Sequence, residues 1–190
     1  MNKNIILCGV GGQGTVLASK LLAAAAMKKD IPVKTAETIG MAQRGGSVTS
    51  HIRLGADTYS PLVPMGKADL IVAFEPAEAV RMLPYLKKGG AVIVSSRAVM
   101  PVTAALAGSN YQGGEMIDYL RSKVDNLTVV DTDAACAELG SPKIVNVLLL
   151  GAAVNSGETG LTKDDIRTAI KEKVNPKFHE LNFKALDYLK

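Results

Sequence analysis

The chain has 190 residues, 47% of them hydrophobic, and carries 22 Lys and Arg against 18 Asp and Glu for a net charge of +4. That size and composition fit one domain with a core of its own. The basic residues fall in short pairs such as Lys28-Lys29 and Lys87-Lys88 with no aromatic interleaving, which argues against nucleic acid as a partner. Aromatics are only 4% and Trp is absent, so the core draws on Val, Ile, Leu, Ala and Met. No apolar run is long enough for a membrane span. Cys8 and Cys136 stand alone, without the spacing of a zinc site or an iron–sulfur cluster. Two reduced, buried thiols and no leader-like segment are the expectations for a cytoplasmic protein.

In chain order, Ile5-Ile6-Leu7-Cys8 reads as a central parallel strand buried on both faces. It runs into Gly9-Val10-Gly11-Gly12-Gln13-Gly14, and a helix follows from Gln13 to about Lys29. Val16, Leu17, Leu21 and Leu22 leave that helix little polar face, which places it at or near a subunit interface and is compatible with a homodimer. Residues 32–37 form a second strand, completing a strand–helix–strand unit, and residues 38–46 a loop. Residues 47–53 alternate in the manner of a half-exposed strand at a sheet edge. Residues 70–74 are a buried strand, residues 76–86 a helix closed by Lys87-Lys88-Gly89-Gly90, and residues 91–95 another strand.

Residues 97–114 have no readable pattern. A helix over 115–124, a strand over 127–131, a short helix over 132–139 and an apolar helix over 143–155 come next. Thr162 caps a further helix with Asp165 at its third position and Leu161 and Ile166 as a hydrophobic staple. That helix stops before Pro176. Phe178, Leu181, Ala185 and Leu189 give the tail helix an apolar stripe. Strands and helices alternate through most of the chain. The fold class is therefore α/β: a single Rossmann-like domain over residues 1–190, with a largely parallel sheet flanked by helices.

The segment Gly9, Gly11, Gly12, Gln13 and Gly14 sits where a strand ends and a helix begins. There glycines allow close backbone approach, and free helix N–H groups favour an anion. Glu37 falls where a dinucleotide fold places its ribose-binding acid. The same glycines serve equally to pack the helix on the sheet, so ligand binding and packing both stand. A second loop carries Gln43, Arg44, Gly45 and Gly46. Its guanidinium and accessible amides suit a phosphate or carboxylate, or else Arg44 pairs with a carboxylate such as Glu37. Glu75 and Glu78 follow a strand end, but negative charge at a helix start explains them better. His51 and His179 are far apart, with His179 on a solvated face. Ser95-Ser96-Arg97 closes a strand with no base near the serines. No catalytic residue and no metal ligand set is visible.

Taken together, GVGGQGTVLASKLL at residues 9–22 and ETIGMAQRGGSVTSHIRLG at residues 37–55 resemble the gamma-type domain of the pyruvate and other 2-oxoacid:ferredoxin oxidoreductases. Within that family the likeness is greatest to the beta subunit of the indolepyruvate enzymes. Residues 59–90 and the late Asn146-x-x-x-Leu150-Gly151-Ala152 fit it as well. Ile39 departs, standing where many arylpyruvate-type members carry His. The resemblance implies a subunit, inactive alone, of an enzyme that converts a 2-oxoacid to its acyl-CoA and passes the electrons to ferredoxin. Thiamine diphosphate and the iron–sulfur clusters are then expected on a larger partner subunit, with coenzyme A as co-substrate near the glycine loops. Two other readings stay open: a self-sufficient NAD(P)-binding oxidoreductase of Rossmann type, and a purely structural assembly subunit.

Overall fold

The computed structural model describes residues 2–39, 45–100, 105–106, 108 and 110–189. Strand β1 (Lys3–Val10) lies inside a six-stranded sheet with β2 (Val33–Ile39), β3 (Ser47–Leu54), β4 (Ala68–Ala73), β5 (Leu86–Ser95) and β6 (Asn126–Val130), in the order β2-β3-β1-β4-β5-β6. β1, β4, β5 and β6 run parallel, whereas β3 is antiparallel to both of its neighbours. The apolar run in β1 has a direct cause. Ile5 and Leu7 enter the core beneath α1 (Thr15–Met27), α5 (Val145–Asn155), α6 (Lys163–Lys173) and α7 (His179–Asp187). Ile6 and Cys8 enter a second core under α2 (Pro76–Met82) and α3 (Gly114–Lys123). A strand with helices on both faces has no polar side.

Several expectations change. β3 is not an edge strand: it lies between β2 and β1 and is buried from Val48 to Ile52. Its polar residues mislead because they are covered, not solvated. The Gly55–Lys67 connection folds over His51, whose Nδ1 accepts a hydrogen bond from the Val63 amide at 3.2 Å. β2 accordingly does not neighbour β1, and the strand–helix–strand unit is split by β3.

The helix after β4 ends at Met82 rather than Leu86. Pro84 has no N–H to continue the ladder, the chain tightens into a 3₁₀ turn at Leu83–Tyr85, and Lys87 to Gly90 open β5. α4 (Thr132–Leu139) and the capped α6 lie where the sequence puts them. Thr162 Oγ1 accepts from the Asp165 amide while the Asp165 carboxylate accepts from the Thr162 amide. In the tail the buried face is Asn182, Ala185 and Leu186, and Phe178 faces solvent. α5 is apolar all round because it is buried from Asn146 to Val154. α1 is covered mainly by its own chain, Leu21 and Leu22 included, although Leu17 and Met27 stay exposed.

Candidate functional site

The glycine loop closes β1 in a tightly determined way. A Cβ on Gly9 would lie 2.7 Å from Gln13 Oε1 and 2.8 Å from Phe74 Cβ, so no larger residue fits against the end of β4. Gln13 is committed to the protein's own backbone: Oε1 accepts from the Val10 amide at 2.8 Å, and Nε2 donates to the Phe74 carbonyl at 2.9 Å. Its side chain thus locks the loop across the ends of β1 and β4. Gly12 differs. It has φ +102° and open space where a side chain would be, so backbone alone faces outward there. Gly14 caps α1 at φ +84°, with Asn146 Nδ2 3.0 Å from where its Cβ would stand. The first-turn amides of α1 have no intrahelical acceptor and present a partial positive charge.

The second glycine loop is brought against the first. The Gly11 amide donates to the Gly46 carbonyl at 2.8 Å, and the Gly45 amide donates to the Gly11 carbonyl at 3.3 Å. Gly9, Gly11, Gly12, Gln13, Gly14, Gly45 and Gly46 therefore share one end of the sheet; Gln43 and Arg44 lie outside the described residues. The two loops do not leave neighbouring strands. They meet because antiparallel β3 begins at the end where β1 finishes, with Val10 opposite Ser47.

Beside the loops a cleft of about 520 Å³ opens at the carboxyl ends of β1, β4 and β5. Gly12, Gly14, Phe74, Arg97, Lys143 and Asn146 line it. Arg97 is set by the end of β5. The Ser95 hydroxyl accepts from the Arg97 amide at 3.1 Å and is 2.7 Å from Thr132 Oγ1, while the guanidinium reaches Asp133 at 3.5 Å. Lys143 sits in the 3₁₀ turn Pro142–Ile144 ahead of α5, begun by a hydrogen bond from its amide to Ser141 Oγ. Asn146 Oδ1 accepts from the Val147 amide at 2.9 Å. Free helix-start amides and two cations around a concave surface are chemically suited to an anion. Nothing in the sequence singles out Lys143, and Arg97 reads there only as a strand end. Their separation along the chain hid them, and only the late Asn146 signature marked that region.

The neighbouring acids are structural. Glu75 is buried and caps α2 by accepting from the Glu78 amide at 3.1 Å; its other oxygen accepts from the Tyr111 hydroxyl. Burial and that carboxylate raise the Tyr111 pKa. Glu78 accepts from Ser47 Oγ at 2.6 Å and so holds the hairpin's end. Burial, followed by the charges of Glu78 and Glu75, pushes the Cys8 thiol well above its usual range, which makes it a poor nucleophile. Burial also lowers the pKa of His51. His179 is not simply solvated, since Nε2 lies 2.8 Å from the Val174 carbonyl. Cys136 is half-buried rather than buried.

Glu37 pairs with Ser50, which is level with Leu7, well inside the sheet. It is two strand spacings, roughly 10 Å, from β1. A ribose seated at the glycine loop would not meet it as in a dinucleotide fold. Among the described residues no three His, Cys, Asp or Glu side chains converge to hold a metal, and no helix is long and apolar enough to cross a membrane.

The sheet with helices on both faces, the glycine loop at a helix start and the cleft lined by Arg97 and Lys143 define a single α/β domain. The chain belongs to the pyruvate ferredoxin/flavodoxin oxidoreductase family, whose model matches residues 4–188. It is 38% identical over 186 residues to the indolepyruvate oxidoreductase subunit IorB of Pyrococcus horikoshii, covering 97% of this chain and 92% of that one. It is 30% identical over 182 residues to the common subunit gamma of the pyruvate/ketoisovalerate oxidoreductases of Thermococcus kodakarensis, covering 94% and 90%. The fold matches pyruvate oxidoreductase subunit PORC of Thermotoga maritima with a TM-score of 0.72 at 22% identity, over 98% of this chain and 94% of that one. It also matches 30% of a chain of the Magnetococcus marinus 2-oxoglutarate:ferredoxin oxidoreductase, with a TM-score of 0.71 at 17% identity and 98% of this chain covered. That enzyme was solved with 2-oxoglutarate, coenzyme A and succinyl-CoA bound.

Proposed function

We propose that this chain is the accessory, cluster-free subunit of an indolepyruvate-type 2-oxoacid:ferredoxin oxidoreductase in the cytoplasm, and that its cleft receives an anionic part of coenzyme A. The larger partner subunit supplies thiamine diphosphate for decarboxylation and iron–sulfur clusters that pass electrons singly to ferredoxin. This chain's residues bind and orient. The α1 amides, Arg97 and Lys143 attract phosphate, Gly12 lets the ligand approach the backbone, and Asn146 fixes the edge of the cleft against Gly14. Gly11, Gly45 and Gly46 tie the two glycine loops together, and the anion contacts proposed for the second loop are Gln43 and Arg44.

The observation that carries this reading is one concave surface joining a helix N-terminus to two cations at the carboxyl end of a parallel sheet, where ligands collect in open α/β folds. The displacement of Glu37 counts against a dinucleotide in the same place. The test is coenzyme A titration of the reconstituted complex. Lys143→Ala, Arg97→Ala and Arg44→Ala should each raise the KM for coenzyme A about tenfold or more, as loss of a charge-assisted contact predicts. The KM for the 2-oxoacid should hold. Unchanged coenzyme A affinity in all three, with the complex assembled, would reduce the cleft to a packing feature and favour a structural subunit.

A further inference from the structure

The opposite end of the sheet carries a second surface, built by the Gly55–Lys67 connection between β3 and β4. Three large apolar side chains there face solvent: Tyr59 is 93%, Leu62 53% and Met65 70% exposed. The backbone beneath them is pinned. Lys34 Nζ donates to the Tyr59 carbonyl at 3.0 Å, Arg53 Nη1 to the Ser60 carbonyl at 2.9 Å, and the Gly66 amide to the Pro84 carbonyl at 3.0 Å. Val63 is turned inward and buried, its amide on His51, and Pro61 and Pro64 restrict the chain between them. Apolar side chains on a fixed backbone lose little entropy when covered, the property of a docking surface rather than of a loose loop.

The Gly66–Pro84 contact joins this loop to a groove of about 510 Å³ lined by Leu83, Pro84, Lys88, Tyr119 and Lys123. Its charge is one-sided. Lys88 and Lys123 are exposed in its lining, Lys67 is exposed at the end of the adjoining connection, and Lys87 is paired with Asp69. Asp125 is the acid in the groove lining, whereas Asp57 in the connection is bonded to Asn2.

The geometry points to this face as the seat of an acid-rimmed, apolar protein surface, which is that of the larger subunit if the proposed function holds. A second copy of the chain fits poorly, because a two-fold contact would set one lysine-rimmed patch against another. The partner then covers the pole opposite the anion cleft and leaves the cleft mouth free.

The experiment measures affinity of the full chain for the larger subunit at low and high ionic strength. Met65→Asp should weaken assembly on the order of tenfold or more. Lys67→Glu with Lys88→Glu should weaken it strongly at low salt, with a difference that shrinks as salt rises. All three positions are exposed, so thermal midpoints should match wild type. A photoreactive group at position 65 should cross-link to the larger subunit. Unchanged affinity in these folded variants, or a cross-link to another copy of this chain, overturns the proposal while the proposed function stands. If wild-type chain binds no thiamine-bearing subunit at all, both fall.

Discussion

His51 shows how a residue's surroundings decide its chemistry. Its Nδ1 must be unprotonated to accept from the Val63 amide, its ring meets Tyr85 edge-on at 5.7 Å, and burial lowers its pKa. The folded state thus favours neutral imidazole, and below the ordinary His range the unfolded chain binds more protons. Stability contributed by this site is present above about pH 6.5 and lost as pH falls below it. Chemical denaturation at a series of pH values should show that loss, and His51→Gln should flatten it. At the glycine loop, Gln13→Ala strands a backbone donor at Val10 and an acceptor at Phe74. It should cost about 1–3 kcal/mol of stability. Were Gln13 a ligand contact instead, the same variant would raise the coenzyme A KM with its unfolding midpoint unchanged. Gly9→Ala should also destabilise, by about 1–3 kcal/mol, because the space is already filled.

Elements whose identity rests on local chemistry were legible in the sequence. The capping box at Thr162 and Asp165 needs only two residues three apart, and it forms. Thr162→Ala should lower stability by about 1 kcal/mol, measurable in urea. The apolar runs of β1 and β4 announce burial on both faces because nothing else tolerates them. β3 resisted for the opposite reason. Thr49, His51 and Arg53 read as a wet face, yet Thr49 and His51 are covered by the rest of the fold, and no local pattern encodes a cover that arrives later in the chain. The candidate site divides in the same way. The glycine loop follows a recognisable strand and precedes a helix, so its place was clear. Arg97 and Lys143 join it only through the strand order, which short-range spacing does not specify.

As a whole the molecule has two distinct ends, a cleft lined by Arg97 and Lys143 where the parallel strands finish and a groove rimmed by Lys88 and Lys123 where they start. Cys8 is sealed inside the sheet and Cys136 lies apart from it, so purified chain should be colourless, free of iron and flavin, and inactive towards any 2-oxoacid. Metal analysis and an absorption spectrum check this. Stoichiometric iron would contradict the assignment of the clusters to the partner.

The placement of β3 also bears on biosynthesis. β2 and β3 form a hairpin of sequence neighbours, and β3 then zips along the whole of β1, so the strand pairing of the first sub-sheet is complete once Leu54 has been made. The remaining strands add afterwards, each through a longer crossover, and Lys143 is translated after all of them. A nascent chain emerging amino end first can therefore bring its two glycine loops together long before it has a cleft to bind with. Pulse-labelled hydrogen exchange on stalled chains should find Ile52 and Leu54 protected while Val129 is still unmade.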